Sequence, residues 1–260
     1  METISVRHYR SFTGLPEVPA NGNPCKLLIS SPLSDSRPPD IEDGLTTLCY
    51  TWPVGNASTY RVRCYQKLAP VQCCGHGLLA AARYWFETNN SNQLLLKMSE
   101  SLIAGFREGQ LIWLRFHRIS CQSCAIPLWL DKVFDKPGVI DAALAGDEQG
   151  YLVLRWPNDF PLDSINAPPT DIERFTQRAI ICTARQITKS TPVHFRYFAP
   201  QYGVVEDQAT GSAMRILADY WRQRFNSFAA LQVSREKGYF LARCEDSEFV
   251  EIGGYCVEVA

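Results

Sequence analysis

Two stretches of this sequence resemble each other from opposite halves of the chain, CCGHGLLAAARYW at residues 73–85 and TGSAMRILADYW at residues 210–221. Setting Gly75 on Gly211 also sets Ala82 on Ala218, Tyr84 on Tyr220 and Trp85 on Trp221, a constant offset of 136 positions in 260. Each reads as a helix that opens on glycine, runs through small and apolar residues and closes on a Tyr-Trp pair. A helix that is apolar nearly all round has no face to give to water, so other elements must surround it. Two of them predict a duplicated fold, and a chain of this length can supply two units of about 100–150 residues.

Most of the remaining sequence alternates in the manner of strands. ETISVRHYRSF, CKLLIS, STYRVRCYQ and LIWLRFHRI do so in the first half, and YLVLRW, VHFRYFAP, GYFLARCE, FVEIG and YCVEVA in the second. In STYRVRCYQ one face carries Tyr60, Val62 and Cys64 and the other Arg61 and Arg63. PPTDIERFTQRAI reads as a further helix capped by Thr170 or Asp171. Many strands and one prominent helix per half predict an α+β fold of two similar lobes. Residues 1–116 form the N-terminal lobe, joined by the C-terminal strand 250–260, and residues 117–249 form the C-terminal lobe.

Composition removes several classes of function. A hydrophobic fraction of 46% and a charged fraction of 20% suit a soluble globular protein, and a net charge of −1 without a basic run leaves no nucleic-acid footprint. The N-terminal residues lack a signal-peptide core and no segment reaches the ~18 apolar residues of a membrane span, which predicts a cytoplasmic protein and no membrane partner. In that compartment the ten cysteines are expected as thiols, with Cys25, Cys49, Cys64, Cys182 and Cys256 packing as small hydrophobes. CQSC at 121–124 lacks a second pair, so no metal is expected there.

The chemistry is expected where the two helices begin. The first N–H groups of a helix have no internal partner and carry the positive end of its dipole, which suits a carboxylate or phosphate. Two such ends predict a small anionic metabolite as partner. Cys74 and His76 flank the first helix start, and Asp207, Thr210 and Ser212 the second. His8, His117 and His194 fall in strands and read as structural. Arg61, Arg63 and Arg196 read either as ligand contacts or as solvated strand faces.

Four segments carry a family resemblance: GNP at 22–24, CGHGLLAAA at 74–82, RYFAP at 196–200 and EDQATGSA at 206–213. They resemble the phenazine-biosynthesis isomerase-like (PhzF) family of the diaminopimelate epimerase fold. The resemblance implies two pseudo-symmetric lobes, each a β-barrel-like mixed sheet wrapped around a central helix. It also implies a homodimer and a cofactor-free, metal-free proton transfer on a small carboxylated metabolite held between the lobes. Gly75, Gly77 and His76, with Asn23, match the first-lobe site, and Asp207, Thr210, Gly211 and Ser212 match the second. Asp207 is then one acid/base and Cys74 or His76 the other.

The sequence also departs from that family. Its isomerases carry a glutamate shortly before the strand matching YRVRCYQ; here Leu48, Cys49 and Tyr50 stand around that place, and the nearest acids are Glu42 and Asp43. A two-cysteine racemase is excluded, because the residue opposite Cys74 is Thr210 by the internal offset or Gln208 by the family motif. The alternative reading is a lapsed enzyme that binds a small carboxylate without turnover.

Overall fold

The computed structural model describes residues 5–31, 47–55, 58–66, 69–71, 73–135, 138–187, 189–200, 203–244 and 246–259. Glu42 and Asp43 lie outside the described residues. The chain divides into two compact units, Met1–Phe116 with Gly253–Ala260, and His117–Ile252.

The first unit contains strands β1 (Ser5–Thr13), β2 (Asn23–Ile29), β3 (Thr47–Pro53), β4 (Thr59–Gln66) and β5 (Ala69–Val71), helix α1 (Gly75–Asn89), then β6 (Gln93–Met98), β7 (Ser101–Glu108) and β8 (Leu111–His117). The last strand of the chain, spanning Phe249–Val259, lies beside β8 and pairs back onto β1 in antiparallel register, Ser11 opposite Cys256. This closes an eight-stranded barrel in which every edge is paired.

Helix α1 fills the barrel. Leu78, Leu79, Ala80, Ala81 and Ala82 are fully buried, and the three alanines let the wall approach a helix that a larger run would hold away. The wall complements them by alternation. On β4, Tyr60, Val62 and Cys64 are buried with Arg61 and Arg63 between them, as the sequence pattern requires. On β3 both faces are covered: Cys49 and Thr51 turn to α1, while Leu48, Tyr50 and Trp52 pack outward with Leu28.

The closing strand differs from the expected pair FVEIG and YCVEVA, since it runs unbroken through Gly253 and Gly254. Neither glycine is a breaker here. A Cβ on Gly253 would lie 2.8 Å from the Trp113 ring, and one on Gly254 would lie 2.5 Å from Phe12 and 3.0 Å from Leu79 of α1. A bulge in β1 at Phe12, with φ +62°, accompanies that close approach.

The second unit follows the same plan. Its strands are β9 (Cys121–Cys124), β10 (Asp141–Ala145), β11 (Tyr151–Arg155), β12 (Ala179–Arg185), β13 (Val193–Phe198), β14 (Ser227–Gln232) and β15 (Gly238–Arg243), then the first residues of the closing strand, β16. They are ordered β9-β10-β11-β12-β13-β14-β15-β16 around helix α2 (Gly211–Trp221). The outer face carries a second core, with Leu154, Trp156, Ile180, Cys182 and Phe198 under the turns at Leu130 and Leu162. Strand β12 is therefore buried on both faces, Ile180 and Cys182 outward and Thr183 toward α2.

PPTDIERFTQRAI does not form the expected helix. Only Thr170–Arg174 turn, as a 3₁₀ segment after Pro169, with no side-chain cap from Thr170 or Asp171 and with Asp171 outside helical backbone geometry. Ile172 is the only buried residue of that turn, so no apolar stripe extends it, and Ala179 and Ile180 are taken into β12.

One buried contact recurs in both units. The Trp85 indole donates to Thr51 Oγ1 at 2.8 Å, and the Trp221 indole donates to Thr183 Oγ1 at 3.2 Å. Each threonine hydroxyl donates in turn across its sheet, to the carbonyl of Arg61 or of His194, both at 2.9 Å. The two Tyr-Trp pairs thus anchor the far ends of the enclosed helices.

Gly254→Ala is expected to lower stability by about 1–3 kcal/mol, because the added methyl meets Phe12 on one side and α1 behind it. Urea unfolding of the variant checks this, and an unchanged midpoint would show that Phe12 yields freely.

Candidate active site

In the first unit the site residues gather where α1 begins. Cys74 is the N-cap residue but makes no capping side-chain bond; the Leu78 N–H to Cys74 carbonyl bond, 2.9 Å, starts the helical ladder. The His76 ring lies beside the thiol, with Nε2 3.7 Å and Nδ1 3.8 Å from Cys74 Sγ. The His76 carbonyl accepts the Ser11 hydroxyl at 2.8 Å, and Ser11 stands opposite Asn23 in the β1–β2 register. Asn23 is buried and follows Gly22, where φ is +70° and a Cβ would lie 2.3 Å from the Ser11 carbonyl oxygen. Only glycine suits that turn, which accounts for the GNP segment.

Gly75 and Gly77 are both buried, and Gly77 has a specific reason to lack a side chain. A Cβ there would lie 2.5 Å from Cys64 Sγ, 2.9 Å from Cys74 Sγ and 3.2 Å from Cys49 Sγ. On β3, described from Thr47 to Pro53, the α1-facing position around the expected acid is the thiol of Cys49. The Cys74 thiol is held well below its ordinary range by the adjoining Cys64 thiol and by the His76 imidazole, which together outweigh its burial.

In the second unit the loop before α2 is tied down by a residue that the motifs did not reveal. Asp207 Oδ2 accepts the Thr210 hydroxyl at 2.7 Å and Oδ1 accepts the Gln208 N–H at 2.9 Å. Thr210 is the N-cap, yet its hydroxyl turns to Asp207 and not to the helix. Gln232, fully buried at the end of β14, accepts the Thr210 N–H through Oε1 at 2.7 Å. Its Nε2 donates to the Asp207 carbonyl at 2.6 Å and to Thr210 Oγ1 at 3.3 Å. The Ser234 hydroxyl holds the Gln208 carbonyl at 2.5 Å. Gly211 is buried and Ser212 half-buried in the first turn of α2. A signal for Gln232 exists in the sequence: it continues the inward parity of Phe228 and Ala230, where an amide needs partners.

Other sequence candidates have structural work. Arg196 is not on a solvated strand face; it is buried and clamps Glu206 through two bonds, 2.6 Å and 2.7 Å. Its remaining nitrogen donates to the carbonyls of Leu162 and Ile165. Arg63 lies over the Trp52 ring. His117 packs on Phe249 with ring centroids 4.6 Å apart. His194 is buried near Thr191, and burial first, then Lys189, lowers its pKa to about 4. Cys121 and Cys124 lie on one strand three residues apart, so they face opposite sides; the Cys121 thiol donates to the Ile216 carbonyl, while Cys124 packs against the outer core. Among the described residues no group of three or more His, Cys, Asp or Glu could hold a metal ion, and no helix is long and apolar enough to cross a membrane.

An enclosed helix opening on a polar cluster, built twice, is the architecture of an epimerase-type fold. A hydroxyproline epimerase from Agrobacterium vitis superposes on 99% of this chain and 91% of its own with a TM-score of 0.61, at 10% identity. A PhzF-family phenazine biosynthesis protein from Enterococcus faecalis does so over 100% and 98%, with a TM-score of 0.82 at 21% identity. The family model described as phenazine biosynthesis-like protein matches residues 128–259. An uncharacterized isomerase of Pseudomonas aeruginosa is 31% identical over 252 residues, 93% of this chain and 92% of its own length. The chain belongs to the phenazine biosynthesis-like family, and its class of activity is that of an isomerase.

Gln232→Leu keeps the volume but leaves the Thr210 N–H and the Asp207 carbonyl without their partner. A loss of about 1–3 kcal/mol per orphaned group is expected, read from thermal unfolding; an unchanged midpoint would mean the loop is held by other contacts. His194 predicts a pH dependence. Its folded pKa is depressed, so the unfolded chain binds a proton first and stability falls as pH drops from about 6.5 toward about 4. His194→Gln should flatten that part of the stability–pH curve, and a curve of the same slope would assign the acid sensitivity elsewhere.

Proposed function

We propose that this protein is a cofactor-independent isomerase or epimerase that moves a proton on a small carboxylated metabolite, bound in the cytoplasm between its two units. The observation that carries the reading is the carboxylate of Asp207, fixed by Thr210 directly before the start of α2. Asp207 takes the proton from the carbon beside the substrate carboxylate. The negative charge that builds on that carboxylate is met by the opening N–H groups of the helices at Gly75 and Gly211. The Thr210 hydroxyl holds Asp207 Oδ2 and the Gln208 N–H holds Oδ1, and the two bonds orient the carboxylate for the transfer. His76 is the second acid/base, its half-buried imidazole standing beside the Cys74 thiol. In this reading Asn23 and Ser212 hydrogen-bond the ligand.

The alternative reading is a binding protein without turnover, and it rests on the sequence alone: the resemblance implies a glutamate near Cys49, whose thiol meets the Gly77 carbonyl of α1. Solvent-deuterium incorporation, followed by NMR across a panel of amino acids and unsaturated acids, separates the two. The enzyme reading expects the wild type to exchange the acidic C–H of its substrate. Asp207→Asn should slow that exchange on the order of 10²–10⁴-fold with little change in affinity. Equal rates in the two proteins remove Asp207 from the mechanism, and a ligand that binds without exchange supports the second reading for that ligand.

A further inference from the structure

The isomerase reading makes no use of the thiols packed beneath Cys74. Cys25, Cys49, Cys64 and Cys74 are all buried in the first unit, none exposed by more than 3%. Three of them converge on the place that a Gly77 side chain would fill, and its absence leaves room for three sulfurs. Cys49 and Cys64 stand directly opposite each other in the antiparallel β3–β4 register, with Sγ atoms 3.2 Å apart. Residues opposed in this way have Cα atoms about 4.5–5.5 Å apart, inside the range that a disulfide spans. The Cys64 and Cys74 sulfurs stand 2.5 Å and 2.9 Å from the point a Gly77 Cβ would occupy, so Cys64 adjoins both of the others.

Separate small hydrophobes need not meet at one point, and here the helix has given up a side chain to let them. Cys74 is the member at the helix start, with the imidazole of His76 on its sulfur and half-buried neighbours Cys73 and His76 on either side. A helix N-terminus and an imidazole adjoin the Cys74 sulfur and favour its thiolate. Cys49 beneath it is also lowered, to about 6, its burial outweighed by hydrogen bonds from Cys25 and Cys64. Cys25, Cys49 and Cys64 lie deeper, at 1%, 0% and 2% exposure.

We propose that Cys74, Cys64 and Cys49 form a peroxide-oxidisable thiol centre, in which Cys74 reacts and Cys64 resolves it. Cys74 Sγ attacks hydrogen peroxide; the O–O bond breaks, an S–O bond forms and hydroxide leaves. Cys64 Sγ then attacks the Cys74 sulfenic acid, the S–O bond breaks, and the departing hydroxide leaves as water with the Cys64 proton. Two thiols have lost two electrons and peroxide has become two waters. Attack of Cys49 on Cys64 next passes the bond to the cross-strand pair and returns Cys74 as thiolate, with no further oxidant. Nothing in this sequence depends on the proton-transfer reading, and its test needs no substrate.

The test treats wild-type protein with a few equivalents of hydrogen peroxide. Remaining thiols are alkylated after denaturation and the disulfide-linked peptides mapped by mass spectrometry. The expected product is a bond from Cys64 to Cys74 or to Cys49, reversed by dithiothreitol. Cys64→Ser should abolish it and leave Cys74 captured by dimedone, and Cys74→Ser should slow oxidation at least tenfold. The wild-type map decides the matter even where a serine variant folds poorly. Retention of all ten thiols, or a bond that omits Cys64, overturns the proposal, as does unaltered oxidation in folded Cys74→Ser.

Discussion

A helix enclosed by a sheet can meet polar partners only at its ends, and the rest of this structure follows from that constraint. Along α1 and α2 the side chains must be small or apolar, since the barrel wall offers them no water. At the far end an indole N–H finds a threonine hydroxyl, Trp85 on Thr51 and Trp221 on Thr183. At the near end the first N–H groups have no carbonyl within the helix and no side chain from the N-cap. The enclosed helix therefore offers its unsatisfied donors and its positive dipole end at one place, and polar residues gather at that place in both units.

The two helix starts are stabilised by different chemistry. In the second unit a buried amide does the work: Gln232 ties the Thr210 N–H and the Asp207 carbonyl, so the carboxylate is held from its own backbone outward. A buried amide with all its bonds made fixes one loop conformation, because any other leaves those groups unpaired. In the first unit sulfur replaces oxygen. Thiols give weak hydrogen bonds and tolerate apolar surroundings, so Cys49, Cys64 and Cys74 pack around Gly77 at little desolvation cost.

Much of this was legible in the sequence because enclosure leaves an unmistakable pattern. The two glycine-led runs marked the helices, and the alternation of Tyr60, Val62 and Cys64 marked the wall that faces one of them. What escaped was wherever packing outweighed local preference. DAALA and SFAALQ have the composition of helix formers but lie in β10 and β14, where alanine fits against a neighbouring helix or core. TDIER has the appearance of a capped helix, yet only Ile172 reaches a core. Gln232 escaped for a different reason, since its partners are backbone groups more than twenty residues away and carry no motif.

The internal offset also shows where the two halves have parted. Cys74 and Thr210 are both N-cap residues, separated by the same 136 positions as the helices that they open. At that spacing His76 stands against Ser212 and Val71 against Asp207, so only the second half has an acid three residues before its cap. One helix start thus carries a carboxylate bonded to a hydroxyl, the other an imidazole beside a thiol. The two groups differ in charge as well as in kind, because a carboxylate gains charge on losing a proton and an imidazole on accepting one. The same enclosed-helix plan therefore sets a different proton-carrying group at the start of each helix, since the residues around each start are fixed by that unit's own packing: thiols about Gly77 in the first, a buried amide at Gln232 in the second.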